Sequence, residues 1–316
     1  MHPLEGIHHI SAITGNAQQN VEFYTNTLGL RLIAKSVNQD DPSVYHLFYG
    51  EERGHYGADM TFFEYPGAIP GRAGAGMVHR IVWRVGSTEA IDFWEQRFAA
   101  RGVEAERAGD SIRFADPEGL DHEFVVTCAP DAPLTAVHPE VPAAFALQGF
   151  EGVRIYSRSE VASKAMLVNL MGAAERGDGA LELRGQERGG WVAFDPAPQL
   201  PASQSAGTVH HVAFGLLDDQ YDDWTQYLRD EGVAGSGPVD RTYFESLYYR
   251  EPGGVLYELA TAGPGFTVDG PVETLGERII LPPQFEPHRA QIESMLTPLP
   301  NPRADWPVEA TAEPQV

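Results

Sequence analysis

Three residues carry the chemistry this sequence is best equipped to do. His9 lies in HISAITG and His211 in HVAFGLL, the same place in two similar strands, and Glu258 lies in VLYELAT, a strand otherwise apolar. An ionised carboxylate in such a strand is costly unless it is paired or bound to a metal. Two imidazoles and one carboxylate on one side of a metal leave its other positions open. That arrangement suits high-spin Fe(II), which can take substrate and O2 together, with Mn(II) as a second candidate. Zinc prefers closed nitrogen and sulfur surroundings and has no redox chemistry. Each histidine follows another, His8 or His210, that could ligate instead. The second of each pair is chosen because it aligns with the small residue that follows in both strands. A lone strand histidine more often packs than ligates, but two at matching positions, with a glutamate in the right place, outweigh that reading.

The match is one instance of a repeat. A β-like run, a small or polar turn, an amphipathic helix and a group of strands recur four times, opening at IHHISAITG, MVHRIVWRVGS, FEGVRIYS and TVHHVAFGLL. In the first helix Val21, Phe23, Tyr24 and Leu28 fall at helical spacing. Gly29 and Gly102 are helix stops. Each unit reads βαβββ. One helix and four strands cannot bury a sheet face alone. The expected fold is therefore α+β, with four modules paired into two domains whose curved mixed sheets surround a metal cleft.

Modules one and two are placed in 1–130, a Pro- and Ala-rich linker in 131–147, and modules three and four in 148–265. The stretch 266–316 is an extension with a short helix near His288 to Met295 and a loose tail, RADWPVEATAEPQV. Arg80 and Gly152 stand where modules two and three would need a histidine. Glu123, the module-two counterpart of Glu258, is accordingly read as a structural carboxylate. Module one has Thr61 near the matching place, with Glu64 on the opposite face of its strand.

The charge balance, 45 acidic against 22 basic residues, gives −23. Such a surface repels phosphate backbones and anionic headgroups, so neither nucleic acid nor membrane is an expected partner. The single cysteine, Cys128, rules out an intrachain disulfide and a cysteine-based cluster. The N-terminal MHPLEGIHHI lacks the basic and apolar regions of a signal peptide, and no apolar run is long enough to span a bilayer. A cytoplasmic homo-oligomer is expected.

The opening GIHHISAITGNAQQNVEFYTNTLGLRL, the YHLFYG strand and the FESLYYREPGGVLYELAT block resemble ring-cleaving dioxygenases of the vicinal oxygen chelate (glyoxalase, bleomycin-resistance and extradiol-dioxygenase) superfamily. The resemblance covers nearly the whole chain, and the nearest branch cleaves para-hydroquinones. It implies an Fe(II) enzyme that inserts both atoms of O2 into a small hydroquinone- or catechol-type diol. It implies the same ligands, His9, His211 and Glu258. It also implies catalytic roles for His210, Arg241 and Tyr248 and substrate contacts from His8 and Ser11, the last standing where a threonine is expected.

Arg241 and Tyr248 precede Glu258 in the same module, so both can reach the cleft. Arginine is a fixed cation suited to a phenolate, and tyrosine a donor or proton carrier. Their plainer readings are a surface ion pair and a packed aromatic. His210 should point away from His211 in a regular strand, so a role for it requires a twist or bulge. His46 could line the cleft, although plain packing is the simpler reading. Two other functions compete. A glyoxalase-type lyase or isomerase would need a second carboxylate in module one. A non-catalytic aromatic- or drug-binding protein would more often be a two-module chain.

Overall fold

The computed structural model describes residues 2–306. Module one supplies β1 (Ile7–Thr14), β2 (Arg31–Val37), β3 (Tyr45–Gly50) and β4 (Asp59–Glu64). Module two supplies β5 (Met77–Val85), β6 (Ala105–Ala108), β7 (Ser111–Ala115) and β8 (Asp121–Val126). Module three supplies β9 (Phe150–Tyr156), β10 (Ala174–Glu175), β11 (Leu181–Arg184) and β12 (Gly189–Phe194). Module four supplies β13 (Thr208–Leu216), β14 (Gly235–Asp240), β15 (Phe244–Arg250) and β16 (Leu256–Pro264).

Each module's helix follows its first strand, as the repeat requires. Helix α1 (Ala17–Val21) starts where the Asn16 side chain accepts from Gln19 N–H, and then widens into a π-helical stretch, Glu22–Thr27. Helix α2 (Thr88–Arg101) is capped by Ser87 and stops at Gly102, whose φ of 68° suits glycine. Helices α3 (Glu160–Asn169) and α4 (Tyr221–Asp230) complete the set, and α5 (Arg289–Met295) is the short helix expected in the extension. No helix of the described residues is long and apolar enough to cross a membrane.

The strands form two eight-stranded sheets of mixed parallel and antiparallel ladders. Their orders are β14-β15-β16-β13-β1-β4-β3-β2 and β10-β11-β12-β9-β5-β8-β7-β6. Two domains of paired βαβββ modules are therefore present, but neighbours in the chain are not partners. The ladders join module one to module four and module two to module three. Within every module the first strand is an edge, and an unpaired edge must find a partner. Strand β1 takes β13 and β5 takes β9, both antiparallel. Linker 131–147 thus runs between two modules of one sheet rather than between two sheets.

The β1–β13 ladder is irregular at two points. Ile7 faces Phe214 and His9 faces Ala213, which leaves His8 as an extra residue; Ser11 faces His211 and Ala12 faces Val209, which leaves His210 as another. Each strand thus carries one bulge immediately before its candidate ligand, and the local twist that His210 needs is supplied.

Of the tail read as loose, Arg303 pairs with Glu52 at 2.6 Å and its guanidinium lies over Trp306, which packs on His138. Residues 303–306 are thus anchored. The rest of that tail, 307–316, lies outside the described residues.

Candidate metal centre

Strands β1, β13 and β16 lie side by side at the middle of their sheet and bring His9, His211 and Glu258 together. His9 Nε2 lies 3.2 Å from His211 Nε2, and Glu258 Oε2 lies 3.0 Å from the first and 2.9 Å from the second. All three side chains are buried. Glu258 Oε2, wholly removed from solvent, receives no hydrogen bond despite two ring nitrogens at contact distance. A cation at the centre of the triangle would satisfy that orphaned oxygen and both imidazole lone pairs. Burial alone would push the Glu258 carboxyl up, but His9 and His211 hold it well below the ordinary value. It therefore stays an anion ready to bind metal. The nitrogen and oxygen donor set fits Fe(II) or Mn(II).

The far side of each imidazole settles which histidine of each pair faces the centre. With Nε2 turned inward, His9 carries its proton on Nδ1 and donates it to His8 Nδ1 at 2.9 Å. His8 then donates its own Nε2–H to the Thr261 carbonyl at 3.0 Å. His211 Nδ1 likewise meets His210 Nδ1 at 2.8 Å. Burial, helped by the neighbouring ligand imidazole, lowers the pKa of both His8 and His210 to about 3, so both are neutral acceptors. Such outer partners fix the tautomer and orientation of a ligating ring.

The triangle opens on a cavity of about 450 Å³. His9, His211, Ser11, His210, Arg241 and Tyr248 line it. His8 does not. Both its ring nitrogens are engaged, its ring stacks on Tyr56 at 5.3 Å, and it sits behind His9. The substrate contact expected of His8 is therefore replaced by an orienting one. Arg241 donates its Nε–H to the Tyr248 hydroxyl at 3.1 Å, and its guanidinium lies over the Tyr248 ring. Its ion pair with exposed Asp40 is long, 3.4 Å. Burial, followed by the Glu258 carboxylate, keeps the Tyr248 pKa above its ordinary value, so the phenol stays protonated.

Some residues at the site were not foreseen. Ser246 donates to Glu258 Oε1 at 2.5 Å, which leaves Oε2 to face the centre. It is two residues from Tyr248 on the same strand, so the period of two could have found it. Thr61 bonds Ser11 Oγ at 2.6 Å and His46 Nε2 at 3.1 Å, which ties His46 to the cavity it lines. The register supplies the reason for Thr61. Ser11 faces Thr61 in one module as Ala213 faces Glu258 in the other, so an internal two-fold maps the carboxylate onto a threonine. In the second sheet the matching positions are filled. Arg80 pairs with Asp121 and Glu123, Glu123 also meets Arg113, and the Trp191 indole lies 2.3 Å from where a Cβ on Gly152 would stand. Glu123 is held by arginines, as its structural reading required.

The family model described as Glyoxalase/Bleomycin resistance protein/Dioxygenase superfamily matches residues 6–124 and 149–259. MhqA of Bacillus subtilis (strain 168), named as a candidate ring-cleaving dioxygenase, is 38% identical over 94% of this chain and 99% of its own. The chlorohydroquinone/hydroquinone 1,2-dioxygenase of Sphingobium indicum is 31% identical over 90% of this chain and 93% of its own. The crystal structure of a candidate dioxygenase from Bacillus subtilis superposes with a TM-score of 0.87 at 38% identity, covering 94% of this chain and 98% of that one.

Proposed function

This chain belongs to the Glyoxalase/Bleomycin resistance protein/Dioxygenase superfamily, and within it we propose that it is an Fe(II)-dependent dioxygenase that opens the ring of a hydroquinone-type diol with both atoms of O2. The observation that carries the reading is the convergence of His9 Nε2, His211 Nε2 and Glu258 Oε2, within 3.2 Å of one another, on a cavity of about 450 Å³. Ferrous iron held by these three atoms would supply a redox-active cation on which a diol oxygen and O2 meet. Mn(II) suits the same donors. The hydroquinone relative supports a para-diol over a catechol.

The chain's own residues do the rest. Arg241 is a permanent cation at the cavity wall and stabilises an ionised diol oxygen. Its Nε–H already goes to the Tyr248 oxygen, so the Tyr248 proton is free to point at the substrate. Because Tyr248 stays protonated, it acts as a donor and returns its proton as charge develops on oxygen. His210 accepts from His211, which leaves its Nε2–H for the cavity it lines. His8 and Ser246 hold two ligands in orientation from behind. Phe244, its ring 4.9 Å from that of His9, keeps one side of the centre dry. The absence of a second carboxylate at Thr61 leaves the coordination open and tells against a glyoxalase-type lyase.

Oxygen consumption by anaerobically purified, Fe(II)-loaded protein tests the proposal, with hydroquinone, chlorohydroquinone, methylhydroquinone and catechol offered side by side. One O2 per diol, with loss of ring absorbance and hydroquinones preferred, is expected. Metal-loaded protein that takes up no oxygen with any diol would overturn it.

A further inference from the structure

We propose that the C-terminal segment 266–299 is a wall of the diol site and that Ile280 and Pro282 select which ring substituents fit. This rests on the reading that the cavity holds an aromatic diol.

The segment follows β2, the free edge of its sheet. Arg31 donates Nη2–H to the carbonyls of Val272 at 2.5 Å and Glu273 at 3.2 Å. Lys35 donates from Nζ to the carbonyls of Glu277 at 2.9 Å and Leu299 at 3.2 Å, and its own carbonyl accepts from Ile280 N–H at 2.8 Å. Both cations are buried on β2, and the Lys35 ammonium is satisfied by main-chain oxygens of the segment. Hydrogen bonds from a charged donor are among the stronger ones, so the segment is tied down rather than draped.

Apolar contacts repeat the message. Phe266 packs between Phe48, at 5.2 Å, and Tyr243, at 4.5 Å, and Tyr243 donates its hydroxyl to Asp269 at 2.6 Å. Phe48 and Tyr243 are themselves cavity residues. Gly276, at φ 78°, passes so close to β2 that a Cβ would stand 1.8 Å from the Leu32 carbonyl oxygen. This close passage sets the path of the chain that follows, and four residues later Ile280 and then Pro282 reach the cavity beside the end of β2.

The chemistry of the two ends of the cavity differs. Arg241, Tyr248 and the ligand histidines recognise oxygen. Ile280 and Pro282 offer no hydrogen-bonding group in their side chains, so they read size and apolarity. The ligand class that follows is a diol carrying a small alkyl or halogen substituent, with its upper size set by the segment.

The test uses full-length, metal-loaded protein with Ile280→Ala and Ile280→Trp, Ile280 being only half-buried and so tolerant of change. Anaerobic binding of hydroquinone, methylhydroquinone and tert-butylhydroquinone is measured by calorimetry, and oxygen uptake is measured separately. Ile280→Ala should move the affinity ratio toward the tert-butyl compound by about tenfold, the scale of a methylene or two in an apolar pocket, and Ile280→Trp should move it the other way. Unchanged ratios in both variants, with wild type binding all three diols, would overturn the wall while leaving the dioxygenase reading intact. Shifted ratios without oxygen uptake in wild type would keep the wall and remove the dioxygenase. Wild type that binds no diol removes both.

Discussion

A ligand histidine differs from an ordinary buried one in what its outward nitrogen meets. His9 and His211 each hand that proton to a neutral histidine one residue earlier, and Glu258 has its second oxygen pinned by Ser246. His8→Phe should therefore leave the fold intact and weaken Fe(II) binding about 10- to 100-fold, as should Ser246→Ala, read by competition with a graded chelator. Unchanged metal affinity in both variants would mean that the outer contacts position nothing. Tyr248→Phe separates proton supply from metal binding. Its iron content should stay at wild-type level while kcat falls by about 10²- to 10⁴-fold; wild-type kcat would leave Tyr248 as packing alone. The three ligands were legible in the sequence because a repeat puts two of them in register and a carboxylate stands out in an apolar strand. The orienting role of His8 was not, because a bulge is a property of two strands together.

Among the elements, β1 governs the site, since it carries His9 and must start at the right height against β13. Its start is fixed from the other sheet. Glu5 accepts from the N–H groups of Gln186, Glu187 and Arg188 at 2.8 to 2.9 Å, and Gly6, at φ 73°, crosses so close that a Cβ would stand 2.5 Å from the Gly189 backbone. Gly6→Ala should cost ~1–3 kcal/mol through overpacking and ~1–2 kcal/mol through the left-handed backbone. Because the strain falls at the root of β1, the variant should lose metal affinity along with thermal stability. A lowered Tm with undisturbed metal binding would show that β1 is held in register by β13 and β4 alone. The βαβββ modules were legible from their recurring strand and helix signals, as was α5. Which modules share a sheet was not. Strands β1, β5, β9 and β13 are all first strands with buried, apolar faces, and nothing in them says which edge each will meet. The path of 266–299 was hidden for a related reason: its anchors are main-chain carbonyls taken by Arg31 and Lys35, and a carbonyl leaves no mark in a sequence.

For the whole molecule, the acidic surface and the buried histidines titrate in different ranges, which decides how it meets acid. Burial lowers the pKa of His122 to about 3, and burial with the adjoining imidazole does the same for His8 and His210. His122 is locked neutral in a chain of bonds. Its Nδ1 accepts from Trp83 at 3.1 Å, its Nε2–H donates to Tyr24 at 3.0 Å, and Tyr24 donates onward to Asp116. As pH falls below 6.5, the unfolded chain takes up protons at these positions and the folded chain does not, until about pH 3. Each such group therefore removes stability on acidification, at ~1.4 kcal/mol per pH unit within that window. Asp116 works the other way. Burial raises it to about 6, so between its ordinary 3.8 and that value the folded state holds the extra proton and gains stability as pH falls. Three histidines against one aspartate give a net loss, and it begins above the range in which exposed carboxylates titrate. Metal-free protein should therefore show a Tm that falls steadily from pH 7 to pH 5, and His122→Gln, which keeps an acceptor for Trp83, should make that slope shallower. A Tm flat across the interval would show that these imidazoles are reached by protons in the native state, and a variant slope equal to wild type would remove His122 from the account.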